Sequence, residues 1–189
     1  MVMPVVTSSK QDGPWVPFLS YRKELRFLIL FILMLASLNF IYFLCGGTSV
    51  ENFVLAKITA KPVYVIIKLL TPSEPAVLDG TLLTSPLVNF EIVRGCEGME
   101  GMLLMISAMC AFRIAWRDKL KGIVLGVAFI YIFNLLRIVV LYYLMAYHPS
   151  LFNFVHLFIG QSITIILVSV FFILWISRSM KKDENKPTG

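Results

Sequence analysis

Four apolar runs limit what this chain can fold into. Residues 25–44, 97–116, 122–147 and 154–177 are each long enough to cross a membrane. A hydrocarbon core of about 30 Å takes roughly 20 residues of helix. The composition agrees: of 189 residues, 58% are hydrophobic and 15% are charged, where soluble domains carry about 25% charge. The expected fold is an all-α integral membrane protein, a helical bundle with about four transmembrane helices. A single domain over 1–189 accommodates it.

The charges sort the ends of these runs. Lys10, Arg22, Lys23 and Arg26 precede or open the first run. Arg113, Arg117, Lys119 and Lys121 surround the join between the second and third. Arg178, Lys181, Lys182 and Lys186 follow the fourth. If these four helices cross, all three clusters fall on one side, which the positive-inside rule makes cytoplasmic. Residues 1–24 are then a cytoplasmic N-terminal segment, and 178–189 a disordered cytoplasmic tail. The net charge of +6 follows from this clustering, and no basic face or RNA motif points to nucleic acid. The first twenty residues are polar and proline-rich rather than a secretory apolar core, so the first run reads as an uncleaved anchor.

Residues 46–95 then form an extracytoplasmic segment. Its apolar stretch 53–70 is interrupted by Lys57, Lys61, Lys68 and Pro62. Lys57 and Lys61 share a helical face, which suits an amphipathic helix on or partly in the membrane better than a span. Asp79-Gly80 is a hairpin signal, with Val77-Leu78 and the 87–93 stretch as its arms.

Three spans of this topology bring polar groups to the outer face. Cys96 stands at the outer entry of the second run, Arg137 in the outer half of the third, and His156 in the first turn of the fourth. An arginine within a span costs roughly 2.5 kcal/mol or more on insertion scales and needs a partner or a wet pocket. Asn134, three residues before it, shares its helical face and can hold the guanidinium; Glu100 is another partner. Gly95 and Gly98 leave the backbone around Cys96 uncrowded for an approaching chain. A thiol at a helix N-terminus gains thiolate character from the dipole. Glu97 and Glu100 read first as charges or caps at that N-terminus. Glu100, four residues from Cys96, is the better placed of the two to orient His156 or Arg137. Gly160, four residues after His156, permits close helix approach. Cys110 reads as a small hydrophobe, His148 as a solvated loop residue, and Tyr142, Tyr143 and Tyr147 as an interfacial belt. The three cysteines show no paired or zinc spacing, so no metal or cofactor is implied. A Cys45–Cys96 disulfide is conceivable in an oxidising compartment. Together a thiol, an imidazole and a guanidinium can supply nucleophile, proton shuttle and oxyanion donor for acyl transfer.

At these residues the chain resembles the exosortase/archaeosortase family of membrane-embedded cysteine transpeptidase-like proteases. The match lies in "RGCEGMEG" around Cys96, "NLLRIVVL" around Arg137 and "HLFIGQ" at His156, in that order. The resemblance implies Cys96 as nucleophile, Arg137 as oxyanion stabiliser or positioning group, and His156 as general base and acid. It implies as partners exported proteins whose C-terminal signal joins a short motif, an apolar helix and a basic tail. The product is released to water or passed to an acceptor. Many members carry a small residue after the cysteine, where this chain has Glu97, and many have more spans. Two other classes are consistent with the residues alone. One is a non-catalytic assembly or scaffolding protein, in which the same three residues hold helices together. The other is a thiol or quinone redox protein.

Overall fold

The computed structural model describes residues 16–184, with side chains from 22 to 181. Of the expected terminal segments, 1–15 and 185–189 lie outside the described residues. Three helices are long and apolar enough to cross a membrane: Arg22–Leu44 within α1 (Val16–Leu44), α5 (Trp116–Tyr147), and Pro149–Lys181. The last is continuous but composite. It starts as α6 (Pro149–Phe154), passes through one π-helical stretch, π2 (Val155–Ile159), and continues as α7 (Gly160–Glu184). Helix α7 thus runs beyond the expected start of a disordered tail at residue 178. Its Ser, Lys and Arg residues have ordinary helix propensity and extend a helix already nucleated in the apolar run.

The second expected span, 97–116, is instead a shorter helix, α4 (Met99–Ala111), of 13 residues. At about 1.5 Å per residue it covers roughly 20 Å. Both limits are set by backbone conformation. Gly98 enters at φ +78, and Phe112 leaves in an extended conformation at φ −81, ψ 144. A short helix is tolerated because α4 lies at the centre of the bundle, packed by α1, α5 and α7. Leu103, Met105, Met109 and Ala111 are among its buried residues. The Lys119 ammonium donates to the Cys110 carbonyl at 2.9 Å, satisfying one open acceptor of its last turn. Helix α4 still carries the chain from one end of the bundle to the other. Its entry turn meets the C-terminal end of α1 through Arg94 and Tyr42, and its exit meets the start of α1 through Phe27 and Phe112. The described members of the basic clusters, Arg22, Lys23 and Arg26, Arg113, Arg117, Lys119 and Lys121, and Arg178 and Lys181, therefore gather toward one end, where Trp175 also donates to the Asp118 carbonyl at 3.0 Å.

Residues 49–70 form one continuous helical segment: α2 (Ser49–Phe53), π1 (Val54–Ala60) and α3 (Lys61–Leu70). Leu55, Thr59, Val63 and Ile67 bury one face, while Lys57 and Lys61 are exposed on another. It is not among the helices apolar enough to cross. Pro62 has no N–H to give to the helical ladder where π1 passes into α3. The Tyr131 hydroxyl of α5 donates to the Ile58 carbonyl at 2.7 Å beside this break in the ladder.

A three-stranded antiparallel sheet follows, β1 (Val77–Asp79), β2 (Leu82–Thr84) and β3 (Asn89–Glu91), in the order β1-β2-β3. Pairing of Asp79 with Leu82 leaves a two-residue turn, Gly80-Thr81, with Gly80 at φ +60. The expected turn is thus present, but the 87–93 stretch is not its second arm. So tight a turn pairs β1 with its nearest neighbour, and Asn89–Glu91 becomes the third strand. The inner face of the sheet, Leu83 and Phe90, packs with Ile67, Ile138 and Tyr142 in the larger buried cluster. Tyr142 is not a belt residue: it is fully buried, and its hydroxyl bonds the Glu74 carboxylate at 2.7 Å and Ser85 at 3.0 Å. Tyr143 pairs with the Thr71 hydroxyl at 2.9 Å, while Tyr147 is exposed. The C-terminal half of α5 thus serves as the docking surface for the 49–95 segment.

Candidate active site

Cys96 lies in the turn that joins the sheet to α4. Its N–H donates to the Val93 carbonyl at 3.0 Å, and its own carbonyl accepts from Asn134 Nδ2 at 2.8 Å. The sequence reading gave Asn134 to the Arg137 guanidinium; the structure gives its amide to the Cys96 backbone. A buried carbonyl needs a donor, and the Asn134 amide, itself buried, reaches it from α5. Asn134 thereby fixes the height of the turn against α5.

The two glycines flanking this turn do different work. Both have positive φ, +93 at Gly95 and +78 at Gly98, a region costly for residues with a Cβ. Space around Gly95 is open: a Cβ there would meet nothing within 4 Å. A Cβ on Gly98 would stand 2.6 Å from Cγ of Asn134. The room at Gly98 is therefore used by the chain's own Asn134, and only Gly95 keeps the clearance expected for an approaching chain.

Gly98 is the N-cap of α4 and no side chain caps that helix, so neither Glu97 nor Glu100 does. Glu100 sits in the first turn, where negative charge is favourable. Cys96 lies two residues ahead of that N-cap, outside the first turn. Burial dominates its environment and pushes the thiol above its ordinary value; a backbone hydrogen bond at Val93 and the Arg137 charge pull the other way. Cys45 and Cys96 are both free thiols, so the conceivable disulfide is not formed.

Arg137 reaches the same turn from α5. It lies within electrostatic reach of Cys96, Glu100, Glu97 and His156. Its stem rests on α7: a Cβ at Gly160 would stand 3.2 Å from Arg137 Cδ. The close approach expected at Gly160 is thus made by this side chain. His156, one turn earlier in π2, stacks on Phe152 with ring centroids 5.5 Å apart. Arg137 Nε and His156 Nδ1 are both buried without a hydrogen-bond partner. Polar atoms in that state are unusual in a folded chain, and π-helical turns such as π2 are frequent at functional sites. His148 is exposed, as expected of a loop residue.

Arg137 opens into a cavity of about 330 Å³ between α1, α4, α5 and α7, bordered also by Gly95, Gly98 and Glu100. Asn39 and Gln161 line it as well; the sequence reading passed over both. Each is a lone amide in an apolar run, and that is the signal available for finding them. Asn39 returns its Nδ2 to the Leu35 carbonyl at 2.8 Å. Glu97 does not line this cavity; it borders two apolar grooves beside π1, both shared with Met99. Arg94 also escaped the sequence reading. Its guanidinium donates to the Tyr42 carbonyl at 2.7 Å, lies 4.3 Å from the Tyr42 ring centroid and pairs with Glu51 at 3.3 Å. It ties the Cys96 turn to the C-terminal end of α1, where a cation complements the helix dipole.

This order of a turn cysteine, a helix arginine and a π-turn histidine accompanies a match along most of the chain. The family described as transmembrane exosortase (Exosortase_EpsH) matches residues 18–176. The chain belongs to the transmembrane exosortase family. Among curated proteins and among solved structures, no match was found. Membership supports a sorting-related transpeptidase role in a membrane. The exosortase match takes in α1, the 49–95 segment and the whole bundle down to Ile176. The sheet and the amphipathic helix thus fall inside the family's span.

Proposed function

We propose that this exosortase is a cysteine transpeptidase or protease that cleaves C-terminal sorting signals of exported proteins, using Cys96, Arg137 and His156. The observation that carries the reading is the placement of Arg137. One guanidinium lies against Gly160, a turn from His156, opens to a cavity bordered by Gly95 and Gly98 on either side of Cys96, and acts on the Cys96 thiol through its charge.

The chemistry starts with a buried thiol, which is protonated at rest. His156 takes the proton as Cys96 Sγ adds to the scissile carbonyl carbon. Arg137 faces the developing oxyanion, where a fixed cation in a water-poor site is most effective. His156 then returns the proton to the departing amine, leaving a thioester on Cys96. Water or an acceptor amine attacks the thioester carbon, and the sulfur leaves as thiol. The open side of Gly95 admits the substrate backbone. Asn134 and Gly98 hold the turn still during the exchange. The signal's apolar helix docks between spans. The basic end of the bundle faces the cytoplasm with both termini, and Cys96 faces the periplasm from the inner membrane.

The test is co-expression with a protein bearing a motif, an apolar helix and a basic tail. Cys96→Ala and Cys96→Ser are expected to stop its processing. Arg137→Lys, which keeps the charge and loses the planar fork, is expected to lower processing strongly. Unchanged processing by Cys96→Ala contradicts the proposal and leaves the assembly role as the reading to pursue.

A further inference from the structure

The end of the bundle opposite Cys96 carries a second cavity, of about 470 Å³. Arg22, Lys23 and Arg26 of α1 line it from one turn, and Arg113 lines it from the break after α4. Among the described residues, no carboxylate lines it. Phe27 and Phe112 line its floor, and Phe172 packs behind them. Phe27 and Phe112 meet edge-on at 5.9 Å, Phe112 and Phe172 likewise at 5.9 Å, and Phe27 stacks on Phe172 at 6.2 Å. This three-ring cluster pins α1, the end of α4 and α7 to one another. It fixes the place from which the cations from two separate elements converge.

The positive-inside rule asks only for cations in loops on one side. It does not ask that they share a cavity with an apolar floor. Lys23, Arg26 and Arg113 share the cavity with no carboxylate in its described lining, and their combined field draws an anion between them. Exposed Leu28, Ile29 and Leu33 follow directly on α1, so the rim stands where a spanning helix leaves the apolar layer. A group that fits both parts has an anionic phosphate at one end and a hydrocarbon chain at the other.

We propose that this cavity binds the anionic headgroup of a membrane phospholipid, its phosphate held by Arg26 and Arg113 and its acyl chain laid along Phe27. The bound lipid links α1 to the end of α4 and so braces the central helix at the end remote from Cys96. This does not depend on the catalytic reading.

The experiment uses the full chain purified in a neutral detergent. Its thermal unfolding is followed with added phosphatidylglycerol, with phosphatidylcholine of the same chains, or with inorganic phosphate. Phosphatidylglycerol is expected to raise the unfolding temperature by several degrees, and the other two additives to leave it nearly unchanged. R26Q/R113Q is expected to weaken the apparent affinity for phosphatidylglycerol about thirtyfold. R26K/R113K, which keeps charge and fold, is expected to retain most of the shift. R117Q, outside the cavity, is expected to behave as the unaltered chain. An equal shift with phosphatidylcholine overturns the proposal. So does an equal shift with inorganic phosphate, which marks a site for free anions, or an undiminished shift in R26Q/R113Q. Should R26Q/R113Q not fold, the additive comparison and the lysine pair decide alone.

Discussion

Gly95 and Gly98 allow the Cys96 turn to be tested by a paired substitution. Both residues adopt positive φ, at +93 and +78, so an alanine at either carries a backbone penalty of about 1–2 kcal/mol. The surroundings then separate them. Nothing lies within 4 Å of a Cβ at position 95, whereas at position 98 Asn134 Cγ would be 2.6 Å away and Asn134 Cβ 2.9 Å. Contacts that short force a shift in a packed region, at a further cost of about 1–3 kcal/mol. Gly95→Ala is therefore expected to destabilise by about 1–2 kcal/mol, and Gly98→Ala by about 2–5 kcal/mol. Moving Asn134 also strips the Cys96 carbonyl of its donor. Asn134→Ala alone is expected to cost about 1–3 kcal/mol through that carbonyl. In combination with Gly98→Ala it should add less than the sum, since the nearest clashing atom is gone. The assay is thermal and denaturant unfolding of the detergent-solubilised chain, with monodispersity checked by size exclusion. Equal destabilisation by Gly95→Ala and Gly98→Ala refutes the claim that Asn134 occupies the space over Gly98.

Other perturbations test other parts of the account. Because burial holds the Cys96 thiol above its ordinary value, its maleimide labelling in a Cys45→Ala, Cys110→Ala background should be slow at neutral pH. The labelling should keep rising at pH values where an ordinary thiol has levelled off. Burial alone would raise the Glu74 carboxyl, but hydrogen bonds from Tyr142, Ser85 and Thr71, aided by Lys68, outweigh it and hold it below 4.5. Its stabilising contribution is therefore complete above pH 4.5 and lost as the pH falls toward the lowered folded value. In unfolding titrations against pH, Glu74→Gln should flatten that acid limb. Tyr131→Phe removes the side-chain donor to the Ile58 carbonyl and is expected to cost about 1 kcal/mol. The cost is read by denaturant unfolding of the detergent-solubilised chain.

The parts of the fold legible in the sequence were those that composition alone decides. Long apolar runs with basic ends mark helices 22–44, 116–147 and 149–181 because the membrane requires that length. The shortness of α4 was not legible, since an apolar run does not reveal a left-handed Gly98 or an extended Phe112. Asp79-Gly80 announced a turn, but strand partners follow from turn length and register, so the 87–93 stretch was assigned one strand too early. Tyr142 looked like a belt residue because its burial depends on the docking of Glu74 and Ser85, more than fifty residues away. At the site, the residue types and their order along the helices pointed to Cys96, Arg137 and His156 together. The bond from Asn134 to the Cys96 carbonyl was not legible, because helical spacing relates Asn134 only to its own helix. Arg94 stood within the conspicuous stretch around Cys96, yet its link to Tyr42 spans fifty-two residues and leaves no local pattern.

The central claim is that Cys96 carries the acyl group. The most direct measurement is mass analysis of the purified chain after co-expression with a cleavable substrate and rapid quenching at low pH. The account predicts an acyl adduct mapped to the Cys96 peptide, removed by hydroxylamine and enriched when a slow acceptor limits turnover. Continued substrate cleavage in Cys96→Ala, with no adduct on Cys96 in the unaltered chain, would contradict it.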